Sequence, residues 1–198
     1  MARTIAKDHD EKRAQILRTA ASVFATEGFD RASMNLLAME CGISKANIYH
    51  YYDSKLAILF DILDSYLKDL RDRILRLESA GLTPEQHLVR VVSEILMAYQ
   101  GADNEHQVQI NAMSALPQEQ QKLLRLCQRD MVNYVSEVIR ANAPEVFASD
   151  TGKLRATTMS VFGMLNWYYM WNSGAGTQAR DEYAQLVGDL TLRGVKGL

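Results

Sequence analysis

The stretch Ser33–Lys55, SMNLLAMECGISKANIYHYYDSK, restricts the possible folds of this chain more than any other. Ser33 is placed to cap a helix over Met34–Cys41, its hydroxyl taking an orphan backbone N–H. Gly42 stands where the chain must leave that helix through a left-handed conformation. Ser44 can cap a second helix from Lys45, only three residues on. Helices joined so tightly cross steeply, so small Ala38 suits the contact and Ile43 and Ile48 fill the angle. This is the helix-turn-helix pattern, whose second helix can enter a DNA major groove.

The flanking sequence is helical throughout. Residues 1–8 read as a loose arm carrying Arg3 and Lys7. Ile16, Leu17, Ala20, Ala21 and Phe24 then share one face of a helix from about Asp10 to Glu27, which Gly28 stops. Ser54 caps a long helix to about Ser79, whose apolar positions from Leu56 to Leu77 keep to one side. Thr83-Pro84-Glu85-Gln86 combines a capping threonine, proline at the first helical position and a reciprocating glutamine. Further helices are expected from 84 to Tyr99, over 103–115, from Pro117 to Ala141, over 151–172 and from Thr177 to Arg193. Asn142–Asp150 reads as a turn-rich connection. No strand alternation occurs, and the expected fold is all-α with about nine helices.

Charge alone does not point to nucleic acid. The 198 residues carry a formal net charge of −2, and residues 1–56 hold eight Lys/Arg against seven Asp/Glu. Any phosphate contact must therefore come from local placement. Apolar residues make up 47% and charged residues 23%, ordinary globular usage. Cys41 and Cys127 are far apart, fitting a reducing cytoplasm and two buried thiols. MARTIAKDHDEKR lacks the apolar run of a signal peptide, and Met159–Trp171 is too short to span a bilayer. A cytoplasmic protein without metal or cofactor is expected.

Residues 10–60 closely resemble the DNA-binding domain of TetR-family transcriptional regulators. The resemblance rests on Phe24…Gly28-Phe29, on Leu37-Ala38…Gly42-Ile43-Ser44, and on Ile48-Tyr49-His50-Tyr51-Tyr52…Ser54-Lys55 with Leu59-Phe60. Leu36, Cys41 and Ala32 depart from the residues usual at their positions, and the lost threonine at 32 weakens one phosphate contact. The resemblance implies a bacterial helix-turn-helix domain over residues 1–53 and an effector-binding and dimerisation domain over 54–198. It also implies a homodimer on double-stranded operator DNA, built through the last two helices.

Helical geometry selects the DNA-facing side. Ile48 and Tyr52, four apart, share the inward side, which turns Ala46 and His50 outward with Asn47 and Tyr49 beside them. Short Ala46 permits close approach or contact with a thymine methyl. Asn47 can pair with adenine, and Lys45 can reach guanine or phosphate. By the resemblance, Tyr49 and His50 reach the backbone and Asn35 a base edge; Ser33 and Tyr51 complete the candidate set. Lys55 opposes the macrodipole in the first turn of its helix, which suits a cation that meets phosphate beside free N–H groups.

The penultimate helix is apolar all round from Met159 to Trp171, which calls for burial on both sides, as in a dimer. Met97, Tyr99, Met113, Met131 and Tyr134 offer an adaptable lining for an apolar effector, with Gln109, Asn166 and Trp167 beside them. The run Phe162–Trp171 also resembles TetR-type regulators that answer acyl-CoA thioesters, and Arg125, Arg129 or Arg155 would then meet the CoA phosphates. The expected function is a repressor that releases its operator on binding such an effector. An activator, or a non-enzymatic interaction module with a degenerate helix-turn-helix, is the alternative. An enzyme is disfavoured: His9, His50, His87 and His106 show no metal spacing, and neither a phosphate loop nor a nucleophile elbow occurs.

Overall fold

A computed structural model describes residues 2–172 and 174–194, with the side chains of residues 2–8 outside that description. The described residues form ten α-helices and no strand: α1 (Ala2–Glu27), α2 (Met34–Glu40), α3 (Lys45–Tyr51), α4 (Lys55–Leu75), α5 (Pro84–Tyr99), α6 (Asp103–Ala112), α7 (Gln118–Asn142), α8 (Pro144–Phe147), α9 (Thr151–Trp171) and α10 (Thr177–Arg193). A single 3-10 turn, Met113–Ala115, follows α6. None of these helices is long and apolar enough to cross a membrane.

The helices group into two compact units. Of the described residues, those within 1–67 and 104–125 form the first, and those within 68–103 and 126–198 the second. In the first, Ile16, Leu37, Ile48, Ile58, Leu59 and Leu63 are completely buried. His106 is buried there too, its Nδ1 3.0 Å from the Tyr66 hydroxyl. In the second, Leu88, Val91, Ile95 and Leu96 of α5, Ala184 and Val187 of α10 and Leu165 of α9 are all completely buried, where α5 packs chiefly against α10. Gly188 lets α5 and α10 approach closely, since a Cβ there would fall 2.7 Å from Val89 Cγ2.

Buried Arg180 spans that second unit, donating to the Leu96 carbonyl at 2.9 Å and the Ala175 carbonyl at 3.0 Å. It thereby closes the C-terminal turn of α5 and the α9–α10 connection. Thr83 and Gln86 form the expected capping box at the start of α5.

Three boundaries differ from the sequence reading. α1 begins at Ala2, so the expected loose arm is helical; the side chains of Arg3 and Lys7 lie outside the described residues. A helix needs no apolar face to propagate, and residues 2–15 contain neither glycine nor proline. α4 ends at Leu75 rather than Ser79: the Leu77 amide bonds to the Ile74 carbonyl at 3.1 Å, a three-residue step that closes the helix, and the Tyr134 hydroxyl donates to the Leu77 carbonyl at 2.7 Å. Within the turn-rich Asn142–Asp150 lies the single-turn α8, opened by Pro144 and anchored by buried Phe147.

α9 is buried on one face only. Leu154, Thr158, Val161, Leu165 and Tyr168 point inward, whereas Met159, Trp167, Met170 and Trp171 are exposed.

Candidate nucleic-acid interface

α2 and α3 form the tight pair that the sequence predicts. The Ser33 hydroxyl accepts the Leu36 amide at 3.2 Å, and Ser44 accepts the Asn47 amide at 3.1 Å. Gly42 adopts φ +64°, the left-handed conformation that the exit from α2 requires. The Ile43 amide then reaches back to the Ala38 carbonyl at 3.0 Å, fixing the turn. Ala38 is buried at the crossing and Ile48 is completely buried, while Ile43 is half-buried.

Anchoring α3 through Ile48 turns its other residues to solvent. Lys45, Ala46, Asn47, Tyr49 and His50 are all exposed, and Asn35 on α2 is exposed as well. That side offers an ammonium, a carboxamide, a phenol and an imidazole around one methyl. These are donors and acceptors suited to base edges and phosphates, with no bulky side chain at Ala46 to hold the helix off. Ser33 is exposed too, and a hydroxyl that accepts a capping bond still has a proton to donate.

Two members of the candidate set are engaged inside the protein. Tyr51 is half-buried and stacks on His9 of α1, ring centroids 4.8 Å apart. Lys55 departs further from expectation. Its ammonium donates to the carbonyls of Phe29, Asp30 and Ala32 at 2.8, 3.1 and 3.1 Å, and lies 4.4 Å from the Phe29 ring centre. Its three protons therefore staple the α1–α2 connection to α4, a role that the sequence reading, which assigned the ammonium to phosphate, did not include. The cation tolerates the opposing helix dipole because three carbonyl dipoles face it.

Sequence reasoning treated Tyr52 as plain core and overlooked its partners. The ring is buried, but its hydroxyl accepts from Arg13 Nε at 3.2 Å and donates to the Asp61 carboxylate. Arg13 Nη2 meets the same carboxylate at 2.7 Å. Burial and the bond to Asp61 push the Tyr52 phenol well above its ordinary range. Asp61 carried a signal, being an acidic residue beside the apolar side of α4; Arg13 carried none.

The effector candidates are divided between the units. Gln109 and Met113 belong to the first; Met97, Tyr99, Met131, Tyr134, Asn166 and Trp167 belong to the second. Within the second, the buried Tyr99 hydroxyl donates to Asn166 Oδ1 at 2.8 Å, and burial pushes the phenol up. Met131 is buried. The Tyr134 hydroxyl is spent on the Leu77 carbonyl and lies 3.2 Å from His87 Nε2. Trp167 is 59% exposed and cannot line the interior of this unit, because its position on α9 faces away from Leu165. Arg125, Arg129 and Arg155 are exposed, Arg125 holding Gln121 at 2.7 Å.

Among the described residues no group of three His, Cys, Asp or Glu could hold a metal ion.

Comparison with known proteins gives consistent matches. The family model described as bacterial regulatory proteins, tetR family, matches residues 16–62, and that described as tetracyclin repressor-like, C-terminal domain, matches residues 81–195. A TetR-family transcriptional regulator from Bordetella parapertussis is 32% identical, with a TM-score of 0.87 over 94% of this chain and 96% of its own. The HTH-type transcriptional repressor KstR2 of Rhodococcus jostii is 27% identical over 64% of this chain and 57% of its own length. The first curated relatives are matched over 25% to 57% of their lengths, less than two thirds in each case. AibR, solved with isovaleryl coenzyme A and operator DNA, shares the fold at a TM-score of 0.72 and 18% identity, over 89% of this chain and 96% of its own.

Proposed function

The chain belongs to the TetR family of DNA-binding transcriptional regulators, and from that premise we propose that it is a repressor that reads its operator as a homodimer and releases it when a small, largely apolar effector binds. The observation that carries the reading is α3 itself: Lys45, Ala46, Asn47, Tyr49 and His50 are exposed on a helix whose Ile48 is completely buried. Side chains so held can enter a groove without disturbing the core. Residues 1–53 serve DNA in this reading, and residues 54–198 serve effector and partner subunit.

Two recognition helices are needed to occupy successive major grooves. The exposed apolar side of α9, with Met159, Trp167, Met170 and Trp171, together with Leu186 of α10, supports dimerisation through these helices. Such a row is unusual on a solvated surface.

For the effector, Tyr99 and Asn166 supply a hydrogen-bonded polar pair, with Met97, Met131 and Tyr134 of the same unit as the proposed apolar lining. An acyl-CoA thioester is the first compound class to test, since AibR was solved with one. Arg129 and Arg155 would meet its phosphates. α4 contributes residues to both units and is the helix through which release would be transmitted. Release requires the effector to bind the DNA-incompetent state more tightly.

Footprinting on DNA flanking the protein's own gene tests the reading, with Asn47→Ala and Tyr49→Phe beside the wild type. Asn47→Ala should relax discrimination at one base pair by roughly 1–3 kcal/mol, and Tyr49→Phe should weaken all sites alike. Absence of protection at low salt would favour an interaction module. Protection that raises transcription would make the protein an activator. A panel of acyl-CoAs and free acids, read by melting shift and DNA release, tests the effector class; no response to any thioester removes it.

A further inference from the structure

Arg13, Tyr52 and Asp61 come from α1, the C-terminal cap of α3 and α4, and are 39 and 48 residues apart in sequence for the two bonds of Arg13. They close a three-membered ring. Arg13 Nε donates to the Tyr52 oxygen, Tyr52 donates to Asp61, and Arg13 Nη2 donates to the same Asp61 oxygen. We propose that this ring is a positioning device for DNA reading: it sets the angle at which α3 is presented, and Tyr52, Asp61 and Arg13 act through α3 without touching DNA. The proposal rests on the reading of α3 as the recognition helix.

Three features carry it. Tyr52 is the residue immediately after α3, and its amide still bonds to the Ile48 carbonyl at 3.0 Å, so its backbone is tied to the last turn of the helix. Within α3 the attachments are the burial of Ile48 and the stack of Tyr51 on His9, and such contacts resist separation much more than rotation about the contact. A directional attachment beyond the last turn removes that rotation. The phenol sits between a guanidinium and a carboxylate, so both of its hydrogen-bonding functions are directed: it can accept only from Arg13 and donate only to Asp61 in this arrangement. Burial of the tyrosine ring alone needs none of this, because phenylalanine would fill the same space.

Charge placement agrees. The Asp61 side chain is 17% exposed, and a carboxylate held that far from solvent needs its two donors. Arg13, half exposed, supplies one donor to it and one to the phenol. Removing the tyrosine hydroxyl leaves the ion pair in place yet releases α3. Removing the charge of Asp61 leaves the phenol without its acceptor of choice. Both changes should therefore free the same rotation.

The full-length protein tests this with a DNA fragment flanking its own gene and a scrambled fragment of equal length. Tyr52→Phe keeps the ring and its packing; Asp61→Asn is the second variant, and the double variant completes a cycle. For each, affinity for both fragments is measured well below the melting temperature. Loss of position should reduce affinity for the flanking fragment on the order of ten-fold, since a hydrogen bond with a charged partner is at stake. Affinity for the scrambled fragment should stay within about two-fold, because sequence-independent binding needs charge and not angle. The double variant should lose little more than either single one.

A purely structural role would lower the melting temperature and leave the ratio of the two affinities unchanged, which would overturn the proposal. Equal losses on both fragments, or additive losses in the cycle, would overturn it too. Wild-type protein that does not distinguish the two fragments would instead remove the reading of α3, and the proposal with it. Should Asp61→Asn fail to fold, Tyr52→Phe decides alone.

Discussion

Replacing Lys55 by methionine separates two roles for this residue. The substitution keeps the aliphatic stem beside Phe29 and deletes the ammonium. Three bonds disappear, to the carbonyls of Phe29, Asp30 and Ala32. A hydrogen bond to a charged group contributes roughly 1.5–3 kcal/mol. The Asp30 bond is exposed, so water takes the place of the ammonium there, whereas the other two are part-buried. Two bonds at the low end of that range give about 3 kcal/mol. Removing a cation from the first turn of α4 returns roughly 0.3–1 kcal/mol. The expected loss is about 2–2.7 kcal/mol, a fall in melting temperature of roughly 4–11 °C for a chain of this size. Urea unfolding and calorimetry without DNA measure it, with Lys45→Met as a control that should stay within about 0.5 kcal/mol. If Lys55→Met is as stable as the control, the staple contributes nothing and the ammonium is free to serve phosphate after all.

Other outcomes follow from single contacts. Gly188→Ala places a methyl 2.7 Å from Val89 Cγ2 and should cost about 1–3 kcal/mol in urea unfolding, with unchanged stability showing that α5 and α10 can separate there. His87 holds its proton less tightly than the usual 6.5, because burial and Arg90 disfavour the imidazolium. The unfolded chain then binds more protons as pH falls through about 6.5, so stability should decline on the acid side. His87→Gln should flatten that slope in melting temperatures taken from about pH 7.5 to pH 5.5, and an unaltered slope would assign it to other groups. Trp167→Glu should shift sedimentation toward a monomer and weaken operator binding, whereas an intact dimer would place the interface elsewhere.

The helix-turn-helix was legible because its determinants are local. Ser33, Gly42 and Ser44 act on backbone groups within three or four residues, so their meaning survives without tertiary context. The outward side of α3 followed from the fixed turn of 100° per residue once Ile48 was taken as inward. The same holds for Thr83 and Gln86 at α5. Contacts with distant partners were not legible. Just beyond the end of α4 at Leu75, the Leu77 carbonyl accepts from Tyr134, a residue far along the chain that no local pattern announces.

Side-chain roles divide the same way. The sequence by itself determined an all-helical chain, the position of its tight helical pair, and the residues that pair presents. Those properties come from caps, breakers and apolar period, which are short-range. Only the tertiary structure decided that Lys55 staples the α1–α2 connection, that Tyr52 shares a carboxylate with Arg13, and that Trp167 faces outward. A lysine's ammonium or a tyrosine's hydroxyl lies several bonds from its backbone. What it meets is set by the chain segments that folding brings to it, and no local periodicity encodes them.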